Sequence, residues 1–193
     1  MNVSKNDRRV MKTRKAINDA FSELLAEKEL RKITVQEIAD KADINRVTFY
    51  KHYLDVYDLY EKAEKEILVD LGLLILDLEA LSSKEVFAHL TEHILNNRVT
   101  FKMIFSPNNT SGLKDKFSRM MEGLFYKMQS EAVPAGKHVS ETVLMYQSCY
   151  RAQGCLALIS KWVLRDFSEP REKIAEAISG LDRNTAEYMS KNA

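Results

Sequence analysis

Apolar side chains recur at three- and four-residue intervals along almost the whole chain, and no stretch alternates long enough to make a strand. In TRKAINDAFSELLAEK, Ile17, Ala20, Phe21, Leu24 and Leu25 fall on one helical face. Only 6 glycines and 3 prolines interrupt 193 residues, so turns are few and helices long. The expected fold is therefore all-α.

Local signals set the helix limits. A first helix is expected over about 9–28, followed by the connector ELRKI. Thr34 with Glu37 three residues on has the form of a capping box, which starts a second helix running to about Ala42. ADIN is the break, and Asn45 caps a third helix through Tyr53. Asp55 and Asp58 open a fourth, running to about Ala80, since carboxylates favour a helix N-terminus. Ser82 and Ser83 cap a fifth, KEVFAHLTEHILNN. TFKMIF is a short apolar segment, SPNNTSG a loop, LKDKFSRMMEGLFYKMQSE a helix and AVPAGKHVS a second loop. ETVLMYQSCYRAQGCLALISKWVLRD is the longest apolar-rich helix. A last helix follows Ser168, with Pro170 in its first turn. The expected organisation is a helix-turn-helix domain over 1–54 and a larger helical body over 55–193.

Charge divides along the same line. Residues 1–53 carry 12 Lys and Arg against 8 Asp and Glu, and the remainder carries 17 against 20. A basic end on a slightly acidic body suits a polyanionic partner met at that end. At 100° per residue, Phe49 and Tyr53 share one side of the third helix. Val47, Thr48 and Lys51 lie opposite, flanked by Arg46, Tyr50 and His52. That outward side carries donors suited to phosphates and an apolar group suited to a thymine methyl. A capped, solvent-exposed helix pair would show the same periodicity.

The segments TRKAINDAFSELLAEK, ITVQEIADKADINRVTFYKHY and DVYDLY resemble the DNA-binding domain of the TetR family of bacterial transcription regulators. The family's recognition helix reads Thr-aromatic-Tyr-x-His-aromatic, matched here by Thr48-Phe49-Tyr50-Lys51-His52-Tyr53. The resemblance implies that Thr48, Tyr50 and His52 contact DNA, largely its backbone. Thr13, near the start of the first helix, and Thr34 would also approach phosphates, and Arg46, Val47 and Lys51 would read bases. It further implies a homodimer joined through the last two helices and a ligand-responsive repressor on a palindromic operator. Many members have Gly where this chain has Glu29 and Asp43. Asp tolerates the left-handed conformation, so the turn is expected to survive; Glu29 implies a differently shaped connector. A Lys common near the start of the fourth helix is Val56 here. These changes resemble a branch of the family typical of low-GC Gram-positive bacteria. The alternative is a helical co-regulator that keeps the fold without reading DNA.

In the body, Phe125, Tyr150 and Trp162 are candidates to line a pocket for a small apolar or aromatic effector, though core is the better reading at any one of them. HLTEH places His89 and His93 one turn apart beside Glu92, an order also seen in some zinc peptidases. Nothing in the sequence nominates a third ligand, so no metal or cofactor is expected. No phosphate-binding loop, dinucleotide fingerprint or nucleophile elbow is present, and no enzymatic activity is expected. Cys149 and Cys155 are six apart, a spacing that does not bring them together on a helix, so free thiols are expected. The polar start MNVSKNDRRVMKTRK predicts no secretory leader. The most apolar run, ILVDLGLLILDLEAL, contains Asp70 and Asp77 and is too short to span a bilayer. A cytoplasmic protein is expected.

Overall fold

The structure, a computed structural model, describes residues 5–82, 85–108, 112–133 and 139–192, with side chains between 8 and 185. Among them the helices are α1 (Lys5–Glu27), α2 (Val35–Lys41), α3 (Arg46–Tyr50), α4 (Val56–Glu79), α5 (Val86–Asn96), α6 (Arg98–Phe105), α7 (Leu113–Ala132), α8 (Glu141–Leu164) and α9 (Arg171–Asn192). No strand occurs among the described residues. The all-α reading holds, with a helix-turn-helix followed by a helical body. Ser83 and parts of both expected loops, 109–111 and 134–138, lie outside the described residues.

The chain groups into two compact units. The first comprises residues 1–68 and 99–113. Its core is made by Ile17, Phe21 and Leu25 of α1, Ile38 of α2, Phe49 of α3, Leu59 of α4 and Phe101 of α6, all essentially without exposure. Side chains of this size bury about 1.5–3 kcal/mol each, which is what holds helices as short as α2 and α3. The segment around TFKMIF is part of a true helix here. Phe101, Met103, Ile104 and Phe105 are buried, the Ser22 hydroxyl meets the Met103 sulfur at 3.7 Å, and the Ser106 hydroxyl donates to the Leu25 carbonyl at 3.0 Å.

The second unit comprises residues 69–98 and 114–193, so α4 contributes to both. Within it, α9 packs on α5 and α8. Leu71, Leu74 and Leu78 of α4, Phe87 and Leu90 of α5, Phe117 and Phe125 of α7, and Ile159 and Trp162 of α8 fill the core. The buried Arg151 guanidinium lies 4.6 Å over the Phe125 ring and grips Asp182 through two bonds of 2.6 and 2.8 Å. A buried charge is tolerable only with such a partner. The α8–α9 corner carries two consecutive left-handed residues, Asp166 (φ 55°) and Phe167 (φ 58°). It is pinned by Trp162, whose indole N–H donates to the Glu169 carbonyl at 2.9 Å while its ring meets Phe167 edge-on at 5.0 Å. Pro170 sits just before α9, not in its first turn, and its carbonyl accepts from Lys173 and Ile174.

Candidate nucleic-acid interface

The interface begins with cap chemistry. Glu37 N–H donates to the Thr34 hydroxyl at 3.3 Å, and the Thr34 backbone N–H and hydroxyl donate to the Glu37 carboxylate at 3.0 and 2.8 Å. The Lys28 ammonium also bonds that carboxylate. Lys28 first, then Thr34, hold Glu37 down to about 2. After α2 the chain reverses at Asp43, whose φ of 52° is left-handed. The turn survives on Asp as expected, because a short polar side chain tolerates that region. In the preceding connector a single 3-10 turn, Leu30–Lys32, follows Glu29, whose carboxylate pairs with Arg31 at 2.6 Å and Lys32 at 3.0 Å. The Asn45 side chain then accepts from Val47 N–H at 2.8 Å and starts α3.

From that cap the faces of α3 sort themselves. Phe49 and Tyr53 are 0% and 2% exposed, and the Tyr53 hydroxyl donates to Asn18 at 3.1 Å. Arg46, Val47, Tyr50 and Lys51 are exposed; Thr48 and His52 are half-buried. The Arg46 guanidinium reaches the Tyr50 hydroxyl at 3.4 Å. Partial burial, and after it the charges of Arg14 and Lys51, push the His52 imidazole below its ordinary value. His52 is therefore neutral near pH 7, with one donor and one acceptor.

A cleft of about 550 Å³ opens between the starts of α2, α3 and α4, and Thr34, Arg46 and Tyr50 line it. Val47 and Thr48 of α3, and Lys51 and His52 in the turn that ends it short of the expected Tyr53, lie outside its lining, and Thr13 lies in mid-α1, its hydroxyl bonded back to the Arg9 carbonyl at 3.0 Å. Thr13 was expected near a helix start, but α1 begins at Lys5. Two further lining residues, Gln36 and Tyr57, escaped the sequence reading. Their signal was weak: a polar residue two after a helix cap, and an aromatic in a first turn that should have been polar.

Of the three effector candidates, Tyr150 alone lines the cavity between α8 and α9. Phe125 and Trp162 are core, while Tyr150 is 65% exposed and shares that cavity of about 250 Å³ with Leu158 and Ile178. His89 and His93 are half-buried. Burial and the neighbouring His89 push His93 down against the opposing charges of Asp70 and Asp77. Among the described residues no group of three such side chains could hold a metal ion. Cys149 and Cys155 are free thiols, and burial pushes Cys155 up. No helix among the described residues is long and apolar enough to cross a membrane.

Residues 82–183 match the TetR-type family model described as "Transcriptional regulator C-terminal region". The chain belongs to the TetR family. It is similar to an uncharacterized HTH-type transcriptional regulator of Bacillus subtilis, 45% identical over 56 residues. That match takes in 28% of this chain and only 15% of the relative's length. Two solved structures share the TetR-family fold. A TetR transcriptional regulator from Streptococcus agalactiae is 21% identical, with TM-score 0.58 over 92% of this chain and 97% of that one. The regulator FadR from Bacillus subtilis, in complex with stearoyl-CoA, is 15% identical, with TM-score 0.56 over 86% and 95%.

Proposed function

We propose that this TetR-family regulator is a ligand-responsive repressor that binds a palindromic operator as a homodimer, each 1–54 domain laying α3 in one major groove. The observation that carries this reading is the division of α3 and the turn after it: Phe49 and Tyr53 inside, and Arg46, Val47, Tyr50 and Lys51 outside. Thr48 and His52 serve as backbone contacts beside that face, Thr13 and Thr34 would do so by giving up their bonds to the Arg9 carbonyl and the Glu37 carboxylate, and Arg46, Val47 and Lys51 read base edges. Exposed Tyr146, Tyr150 and Leu164 on α8 and Leu181 on α9, with small Gly154 and Ala157 between them, support a dimer seam through the last two helices. Two-fold symmetry would then set the half-sites one helical turn, about 34–36 Å, or a multiple apart.

The 55–193 body would hold a small apolar or aromatic effector, with Phe125, Tyr150 and Trp162 as candidate contacts. That FadR forms a complex with stearoyl-CoA supports an apolar effector. Effector binding would favour a dimer whose α3 helices no longer match the operator, since a ligand shifts an equilibrium only by its differential affinity. A cytoplasmic location follows from this role, and INRVTFYKHY supports the low-GC Gram-positive branch. The test is a gel shift on the DNA upstream of the chain's own gene. The repressor reading expects a discrete complex, weakened steeply by salt as phosphate contacts release counterions. No complex on that DNA or on any selected duplex would favour the co-regulator that keeps the fold alone.

A further inference from the structure

We infer that Tyr57 grips the DNA backbone, its phenol hydroxyl donating to a phosphate of the strand that meets Arg46 and Tyr50 across the cleft. This rests on the DNA-binding reading above. At the opening of α4, Val56 is 7% exposed and belongs to the core, whereas Tyr57 is 56% exposed. Tyr57 lines the same cleft as Thr34, Gln36, Arg46 and Tyr50, and its hydroxyl has no hydrogen bond among the described residues.

The donors of the cleft can be counted off. Both Thr34 donors are committed to Glu37, and the Gln36 amide donates to Asp40 at 2.6 Å. Asp55, also on the cleft, accepts from Asp58 N–H at 2.8 Å and repels a phosphate. Besides the second Gln36 N–H, the side-chain donors left for an anionic strand are one guanidinium, Arg46, and two phenols, Tyr50 and Tyr57. Tyr57 is the side-chain donor that α4 contributes. A neutral phenol positions the strand without carrying sequence information and without displacing a counterion.

Fluorescence anisotropy on a duplex selected by the wild-type chain, repeated over a salt series, tests this with Tyr57→Phe and Tyr57→Lys. Tyr57→Phe keeps the ring, so helical content by circular dichroism stays unchanged, and it should weaken binding about three- to tenfold for each chain bound, the worth of one hydrogen bond apiece. The loss should be equal on selected and scrambled duplexes, with the slope of log K against log salt unaltered. Tyr57→Lys should recover the affinity and steepen that slope by about 1 for each chain bound. Tyr57→Phe binding as tightly as wild type, or losing affinity only on the selected duplex, overturns the inference. A wild-type chain that binds no duplex removes the DNA-binding reading and this one with it, a result separate from tight binding that ignores Tyr57.

Discussion

His52 occupies a half-buried place between the positive charges of Arg14 and Lys51, and its titration has a definite sign. Its folded pKa lies below the ordinary 6.5, so the unfolded chain takes up the proton first. As pH falls through 6.5 the free protein should lose stability, while a bound phosphate should draw the proton on. Operator affinity is therefore expected to change little between pH 8 and 7 and to rise below 6.5, a rise that His52→Gln should abolish in pH-resolved anisotropy. Glu37 works in a separate window: depressed to about 2, its support of the α2 cap is complete above 4.5 and lost as pH falls from there toward 2. In circular dichroism at 222 nm, Glu37→Gln should flatten the acid transition of wild type in that range. Both caps, Thr34 with Glu37 and Asn45, were legible because capping joins residues two or three apart. Tyr57 was not, because its meaning depends on a cleft built from three helices.

Short helices live or fail by what they bury. Phe49 contributes the interior face of α3, and Phe49→Ala should cost about 3–5 kcal/mol and abolish the first unit's cooperative melt by calorimetry. The Asp43 turn sets how α3 follows α2, and Asp43→Val, forcing a β-branched residue to φ 52°, should cost about 1–2 kcal/mol there. The periodicity of α1, α4 and α8 was readable because each repeats its apolar face over several turns. The 8 residues of α6 give barely two turns, and its helix depends on Phe101 to Phe105 meeting a core the local pattern does not contain. α1 starts earlier than expected because its first residues are polar, and an apolar stripe cannot report a polar end. Trp162 was legible as bulk but not as the pin of the α8–α9 corner, since the Glu169 carbonyl reaches it only through the two left-handed residues between. Trp162→Phe should cost about 1 kcal/mol and lower the second unit's Tm by a few degrees.

For the molecule as a whole, the family match fixes the class of protein, and the distribution of charge supports the proposal that residues 1–53 meet DNA. Residues 1–53 are positive and the rest negative, so salt should weaken operator binding far more than it weakens the dimer. The central claim is that the outer face of α3 reads a duplex while its inner face holds the fold. The most direct measurement is anisotropy of a fluorescent palindromic duplex titrated with wild type and with the double variant Tyr50→Ala/Lys51→Ala, light scattering giving the mass of each. The expected result is binding lost in the variant with mass and helical content unchanged. A variant that binds the duplex as tightly as wild type would contradict it.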